Sequence, residues 1–154
     1  MRSQLLVSST IMFAILLFLH AQSRAKEQMI DLTVCVAGTC DILSEAQDWE
    51  TESCESRGIG WSNNGYKPLE TFSVFNKGLL AVKDKQWNMN LLTKYLDSEG
   101  DYLVIRNGEI FGGTGKWEGA TGEIQSKWLR MAKSMPSHNF ANCQVVTGTF
   151  ELPE

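Results

Sequence analysis

The segment at residues 112–122, GGTGKWEGATG, is the part of the sequence whose composition most suggests chemistry. A glycine-rich loop that ends in Lys can cradle a phosphate, provided that Ser or Thr follows the Lys to hold magnesium. Here Trp117 follows Lys116, and Ile110 stands where the first glycine of that pattern belongs. A dinucleotide fingerprint is also excluded, because no parallel βαβ pattern surrounds the glycines.

An acidic cluster lies shortly before this segment. Asp97, Glu99 and Asp101 alternate like the first ligands of a calcium-binding loop. The EF-hand loop, however, needs glycine at its sixth place and a later bidentate Glu, whereas Gly100 stands at the fourth place. We therefore expect a hairpin turn at 97–100.

One histidine in the body of the chain could serve as a base. His138 lies near Ser134 and Ser137 in a polar loop, but no third group is placed to orient its imidazole. The sequence therefore predicts no catalytic triad, and the catalytic residues stay unassigned.

The first 25 residues have the layout of a secretory signal peptide. Arg2 supplies positive charge, an apolar run extends from 11 to 19, and small residues at Ser23 and Ala25 suit the peptidase. The run is shorter than the about 20 residues that span a bilayer. We expect cleavage after Ala25, with cleavage after Ala21 or an uncleaved anchor as alternatives, and a secreted or periplasmic protein free of the membrane after cleavage.

The remaining residues, 26–154, suffice for a single domain with its own core. They carry 12 basic and 18 acidic residues, a net charge of −6. Binding to nucleic acid needs a basic surface, so nucleic acid is excluded as a partner. The candidate partners are a small apolar ligand, another protein or further copies of the chain.

Four cysteines in an exported chain predict two disulfides. They are Cys35, Cys40, Cys54 and Cys143. Three pairings are open; a turn at Gly38 would join Cys35 to Cys40 and leave Cys54 for Cys143. Zinc is disfavoured, because the short paired C-x-x-C spacing is lacking and only one histidine follows residue 25. We expect neither a metal nor a cofactor.

Alternation of apolar and polar residues predicts strands along most of the body of the chain. The predicted strands are 31–36, 49–61, 69–82, 87–96, 102–105 and 144–152. We expect a break in the second near Gly58 and Gly60, and a bulge or turn at 76–78 in the third. Helices at 45–52 and 124–135 are the alternatives, with a strand favoured at the latter. This pattern predicts an antiparallel sandwich or barrel.

Asparagine–glycine pairs predict the tight turns between these strands. The pair Asn64 and Gly65 is the strongest hairpin signal, and Asn107 with Gly108 is another. Two such pairs between apolar strands support an antiparallel sandwich or barrel.

The glycine segment resembles the G-G-T-G-K-aromatic-x-G-[I/A]-T-G signature of allene-oxide-cyclase-like barrels, in particular their secreted bacterial branch. In that branch an acidic D-x-D-G-D turn precedes the glycines, and DSEGD at 97–101 stands in that place here. The resemblance covers about 97–122, and dirigent-type proteins carry a looser version of the motif. It implies an all-β fold: a single antiparallel eight-stranded barrel related in shape to lipocalins.

Glycines in such a wall let backbones approach and strands bend, and Trp117 can cover them. The structural motif consists of Gly112, Gly113, Gly115, Gly119 and Gly122. Glu118 and Glu123 alternate along this predicted strand, and we expect both to face solvent. The motif is therefore predicted to form the bent wall of the barrel.

Aromatic residues are the candidates for lining an interior cavity. They are Phe72, Trp87, Tyr95, Tyr102 and Trp117. Allene oxide cyclase holds a reactive epoxide in an apolar pocket with Glu and an Asn-held water, but those residues have no aligned counterparts here. A non-enzymatic binding protein is therefore favoured over a cyclase or isomerase. A carboxylate facing inward beside an Asn would favour the enzyme.

Overall fold

The strands of this chain form a closed barrel, with side chains that alternate between its inner and outer faces. The computed structural model describes residues 27–46, 49–83, 86–131 and 139–153, so the proposed signal peptide and His138 lie outside the described residues. The strands are β1 Glu27–Ala46, β2 Trp49–Ser62, β3 Thr71–Lys83, β4 Gln86–Leu96, β5 Tyr102–Arg106, β6 Glu109–Gly113, β7 Thr121–Met131 and β8 Asn139–Glu151. Each pairs antiparallel with the next, and β8 pairs with β1. The predicted eight-stranded antiparallel barrel is confirmed.

The up-and-down order gives the barrel two different ends. The connections 63–70, 97–101 and 114–120 lie at one end, which we call the closed end. The strands β1, β3, β5 and β7 all run toward the other end, which we call the open end. Among the described residues, no helix is long and apolar enough to cross a membrane.

The barrel core lies toward the closed end. In β1 the side chains of Ile30, Leu32, Val34 and Val36 are buried at every second position, as the period of a strand requires. Beyond Val36 the inward positions of β1 become Gly38 and Cys40, and packing thins toward the open end. The position of the large apolar side chains therefore distinguishes the two ends.

Glycines accommodate neighbouring atoms inside the sheet, and they do not interrupt β2. The strand continues through Gly58 and Gly60 in regular pairing with β3. A Cβ at Gly58 would overlap the backbone of Cys35, and one at Gly60 would overlap the ring of Phe72. The predicted break is wrong, because these glycines permit close approach across the barrel wall.

The predicted irregularity at 76–78 is also wrong. Asn76 pairs with Ser56, and Gly78 pairs with Cys54, inside an uninterrupted β3. A Cβ at Gly78 would overlap the backbone of Asn90, so the glycine lets β4 lie close.

The two Asn–Gly pairs have different outcomes. Asn107 and Gly108, with φ of 51° and 90°, form the two-residue turn between β5 and β6, as expected. Asn64 and Gly65 do not form a two-residue hairpin, because the connection 63–70 also contains the 3-10 helix Lys67–Leu69. The helix places Leu69 in the core, and the longer connection thereby helps to close this end of the barrel.

The disulfides join neighbouring strands. Cys35 bonds to Cys143 across β1 and β8, and Cys40 bonds to Cys54 across β1 and β2. The predicted pairing of Cys35 with Cys40 is wrong, because Gly38 continues the strand without a turn. Five residues of strand separate two Cα atoms by about 16 Å and place their side chains on opposite faces, whereas a disulfide needs roughly 4.4–6.8 Å.

Candidate functional site

The closed end is organised around one buried carboxylate. The Asp97 side chain is 1% exposed, and its Oδ2 accepts a hydrogen bond of 2.9 Å from Trp117 Nε1 and lies 3.1 Å from Lys116 Nζ. Its Oδ1 accepts hydrogen bonds from the backbone N–H groups of Glu99 at 2.9 Å and Asp101 at 3.1 Å. The acidic turn and the glycine segment are therefore tied together through Asp97.

These contacts set the charge of the cluster. Burial by itself acts to raise the pKa of Asp97, but the hydrogen bonds from Trp117, Lys116 and the two backbone N–H groups outweigh it and lower the pKa. Hydrogen bonding to Glu99 and pairing with Asp97 raise the pKa of Lys116 despite its partial burial. The Lys116 ammonium thus occupies the place where a cation would neutralise these carboxylates, and the expected hairpin turn explains DSEGD better than a calcium loop.

The glycine motif serves this closed end. Gly112 and Gly113 end β6, the 3-10 helix Gly115–Trp117 follows, and Gly122 lies in β7. Gly115 has φ +53°, and a side chain there would overlap the carboxylate of Asp101. The prediction of a continuous bent wall is therefore corrected, because the chain leaves the sheet between β6 and β7. Glu118 and Glu123, predicted to face solvent, are exposed.

Trp117 closes the barrel from within. It is fully buried, and its ring centroid lies 5.9 Å from that of Phe150 and 6.4 Å from that of Tyr66. Tyr66 and Phe150 also meet edge to face at 5.7 Å. Two connections and strand β8 thus deliver side chains to one aromatic cluster that fills the closed end.

The open end contains a cavity with two lobes. The lobes measure about 480 Å³ and 410 Å³ and are lined in common by five residues. These shared residues are Asn76, Met89, Leu91, Trp128 and Asn142. Each volume lies within the range of about 300–1,000 Å³ that is typical of small-molecule sites.

Strand length and residue size explain why this end is hollow. The strands β5 and β6 have five residues each, whereas β1 has 20 and β2 has 14, so the wall is low on one side. The inward positions of the first three strands carry Gly38, Ser56 and Gly78 here instead of large apolar side chains. The sequence therefore leaves space at the open end that aromatic rings fill at the closed end.

The polar groups of the cavity differ in how they are satisfied. Asn76 Nδ2 donates a hydrogen bond of 2.9 Å to Ser56 Oγ. The side chain of Asn142 is also buried, with the residue 7% exposed, but its Oδ1 accepts no hydrogen bond from any residue that the structure describes. An unsatisfied buried carbonyl oxygen is uncommon and suggests a partner that is added from outside.

A group of potential metal ligands stands at the cavity wall. Cys40, Glu52 and Cys54 approach one another closely, and all three line the larger lobe. Metal binding by cysteine requires thiolates, whereas both sulfurs here are consumed in the Cys40–Cys54 disulfide. This group therefore contributes a disulfide and a carboxylate to the cavity wall.

The predicted lining residues separate between the two ends. Tyr95 is 1% exposed, lines the smaller lobe and packs against Phe72 with centroids 4.7 Å apart. Its burial raises the pKa of the phenol, which stays protonated. Phe72 and Trp117 belong to the closed-end core. Of these three aromatic residues, Tyr95 is the one that reaches the cavity.

The remaining two candidates lie elsewhere. Tyr102 alternates with the inward-facing Leu103 in β5, and Lys94 Nζ lies 4.4 Å from the centroid of its ring. The backbone of Trp87 pairs with Val82 in β4, and its side chain lies outside the described part of the structure. Neither therefore contributes to the described lining.

Sequence reasoning missed the polar half of the lining. Asn76 and Asn142 stand at inward positions of β3 and β8, in phase with Val74 and Val146. The strand period of two would have placed them inside, had it been applied to polar residues as well as apolar ones.

The comparisons with known proteins support the fold. No family model matches the sequence, and no curated protein is similar to it. The chain is similar in structure to the pterocarpan synthase dirigent protein GePTS1, with a TM-score of 0.53 and 14% sequence identity. The match covers 86% of this chain and 91% of that chain. The chain therefore has the barrel fold of a dirigent protein.

Proposed function

We propose that this chain is a non-enzymatic binding protein that holds a small apolar ligand in the cavity at the open end. The observation that carries the proposal is the cavity itself, whose larger lobe combines a ligand-sized volume with a mainly apolar lining and few polar groups. Sites for small molecules have this composition, because apolar contact supplies affinity and a few polar groups fix orientation.

The entrance of the cavity is also apolar. Met89 and Trp128 line both lobes and are 45% and 47% exposed. Apolar side chains that face both a cavity and solvent offer apolar contact to a molecule at the entrance. They support entry of an apolar molecule from the open end.

The structural neighbour supports the same kind of role. GePTS1 is described as a pterocarpan synthase dirigent protein, and it shares the barrel at 14% identity. The glycine motif and the DSEGD turn also resemble the allene-oxide-cyclase-like barrels, to whose secreted branch we propose that this chain is related. Two disulfides support the proposed export, since such bonds persist in oxidising compartments.

Filling the cavity tests the proposal. Leu91 lines both lobes, whereas Leu92 is its neighbour on the opposite face of β4. We expect Leu91→Trp to weaken binding of the neutral apolar dye Nile red at least tenfold, and Leu92→Trp to leave it near the wild-type value. Equal effects of the two substitutions, or no binding of Nile red by the wild-type protein, would contradict the proposal.

One observation favours an enzyme as the second candidate. Glu52 lines the larger lobe, as Asn76 and Asn142 do, and a carboxylate in a cavity that also holds amides would favour a cyclase or isomerase. On this alternative, Glu52→Gln would abolish turnover of an apolar epoxide but retain binding of Nile red. Identical rates of epoxide conversion with wild-type protein and without protein would remove the enzyme alternative.

A further inference from the structure

We propose that Asn142 is the polar anchor of the open-end cavity, and that it selects an uncharged apolar ligand bearing a hydrogen-bond donor such as a hydroxyl group. This inference rests on the proposed function and adds the ligand class and the residue that determines specificity. Its basis is the contrast between a buried acceptor that takes no hydrogen bond from the described residues and a larger lobe whose lining is mainly apolar.

The fold holds Asn142 in place at the centre of the cavity wall. Its backbone pairs with Val36 in β1 and with Met131 in β7, so strands on both sides fix it. The residue lines both lobes and is 7% exposed. A ligand in either lobe therefore meets the same side chain.

The two asparagines that line both lobes, Asn76 and Asn142, differ in their hydrogen-bond partners. Asn76 donates to Ser56 Oγ at 2.9 Å and so has a partner within the protein. Asn142 Oδ1 accepts nothing from the described residues, although burial removes it from water. Leaving an acceptor in this state costs free energy, which a bound donor would recover.

The charges of the lining determine which donor fits. The described residues that line the two lobes include no Lys or Arg, and Glu52 is the acidic one. Among the described lining residues a carboxylate or phosphate head group would thus find no countercharge, and burying it there would carry a desolvation penalty. An uncharged head that donates a hydrogen bond satisfies Asn142 without this penalty.

A matched series of ligands tests the inference on the wild-type protein. Displacement of Nile red is measured with 1-decanol, decyl methyl ether and decanoate, which share a chain and differ in the head. We expect decanol to displace the dye at about tenfold lower concentration than the ether, because only the alcohol donates to Asn142, and decanoate to be the weakest.

Two variants then assign the effect to Asn142. Asn142→Leu removes the acceptor at similar volume. We expect this variant to need as high a concentration of decanol as of the ether to displace Nile red, while the concentration of ether needed is unchanged. Thr147→Val, which removes an exposed hydroxyl from the outer face of β8, serves as the control and should keep the preference for alcohol. Loss of the preference in both variants would overturn the assignment.

The outcomes separate this inference from the proposed function. Absence of Nile red binding would end the proposed function. Normal Nile red binding with equal displacement by decanol and ether would overturn the inference alone. A preference for the ether would mean that the amide nitrogen is the unsatisfied group, and a preference for decanoate would mean that a cation reaches the site. The ligand series on the wild-type protein decides these points even if Asn142→Leu does not fold.

Discussion

The closed end and the open end of this barrel differ in whether a buried polar group is hydrogen-bonded. At the closed end the Asp97 carboxylate is contacted by four donors, from Trp117, Lys116 and two backbone N–H groups. At the open end Asn142 Oδ1 accepts no hydrogen bond from the described residues. A satisfied network specifies one structure, whereas an unsatisfied acceptor beside a cavity is available to a ligand.

The two ends also differ in what holds their strands together. Aromatic packing around Trp117 fills the closed end. Cys40–Cys54 joins two strands at the cavity wall, and Cys35–Cys143 joins the first and last strands beside the core residues Val34 and Val36. Cys40–Cys54 thus supports the part of the barrel where a packed core is thin.

The largest effect should come from removing the closed-end aromatic cluster. Trp117→Ala deletes a fully buried ring and leaves Asp97 without its indole donor. We expect the free energy of unfolding in urea to fall by about 5 kcal/mol. The partly exposed Trp61→Ala is the control, with a loss of about 1 kcal/mol or less. Equal losses would show that Trp117 has no special place in the fold.

Removing a disulfide should cause the next largest loss of stability, and the disulfide that closes the longer loop should cause the larger loss. Cys35–Cys143 spans a sequence separation of 108 and Cys40–Cys54 spans 14. In the chain-entropy account, replacing each pair by serine lowers stability by about 4–5 and about 3 kcal/mol, respectively. Chemical denaturation of the two double variants measures the difference. A greater loss at Cys40–Cys54 would indicate that the open end depends on local packing around that bond.

Acid should weaken the closed end before it affects the cavity. The pKa of Asp97 is lower in the folded protein than in the unfolded chain, so its stabilisation is complete above the unfolded value near 4 and is lost as the pH falls through the folded value. We expect Asp97→Asn to cost about 2 kcal/mol at pH 7 and to reduce the loss of stability below about pH 4. Urea titrations between pH 2 and pH 7 test this. An unchanged acid profile in the variant would assign the acid sensitivity to other carboxylates.

The smallest expected change in the free energy of unfolding is a gain in stability. Asn142→Leu removes an unsatisfied buried acceptor, so we expect the ligand-free protein to gain about 1 kcal/mol. Asn76→Leu is the matched control and should lose stability, because it leaves Ser56 without its partner. Thermal unfolding of the two variants measures the sign of each change. A loss for Asn142→Leu would show that its oxygen is satisfied in the free protein.

The sequence predicted the fold better than it predicted the site. Strand alternation and the motif at 97–122 indicated the eight-stranded barrel, because these patterns depend on neighbouring residues. The disulfide pairing depends on register across β1, β2 and β8, which alternation within one strand does not determine. The predicted pairing therefore required a turn at Gly38 that the long β1 does not contain.

The residues that line the candidate cavity were harder to predict from the sequence for a similar reason. Large aromatic residues were expected to line it, but Phe72 and Trp117 pack in the closed end. A cavity arises where inward positions are small or polar, as at Gly38, Ser56 and Asn142, and such positions look like ordinary polar strand residues in a sequence. The closed barrel brings these positions together on the inner side of its wall.

One measurement tests most directly the claim that the open end binds the ligand and the closed end stabilises the barrel. Backbone amide chemical shifts of isotope-labelled protein are recorded during titration with 1-decanol. The account predicts shifts at Asn76, Leu91 and Asn142, with little change at 97–101 and 115–117. Shifts concentrated at the closed end, or no shifts up to the solubility of the alcohol, would contradict it.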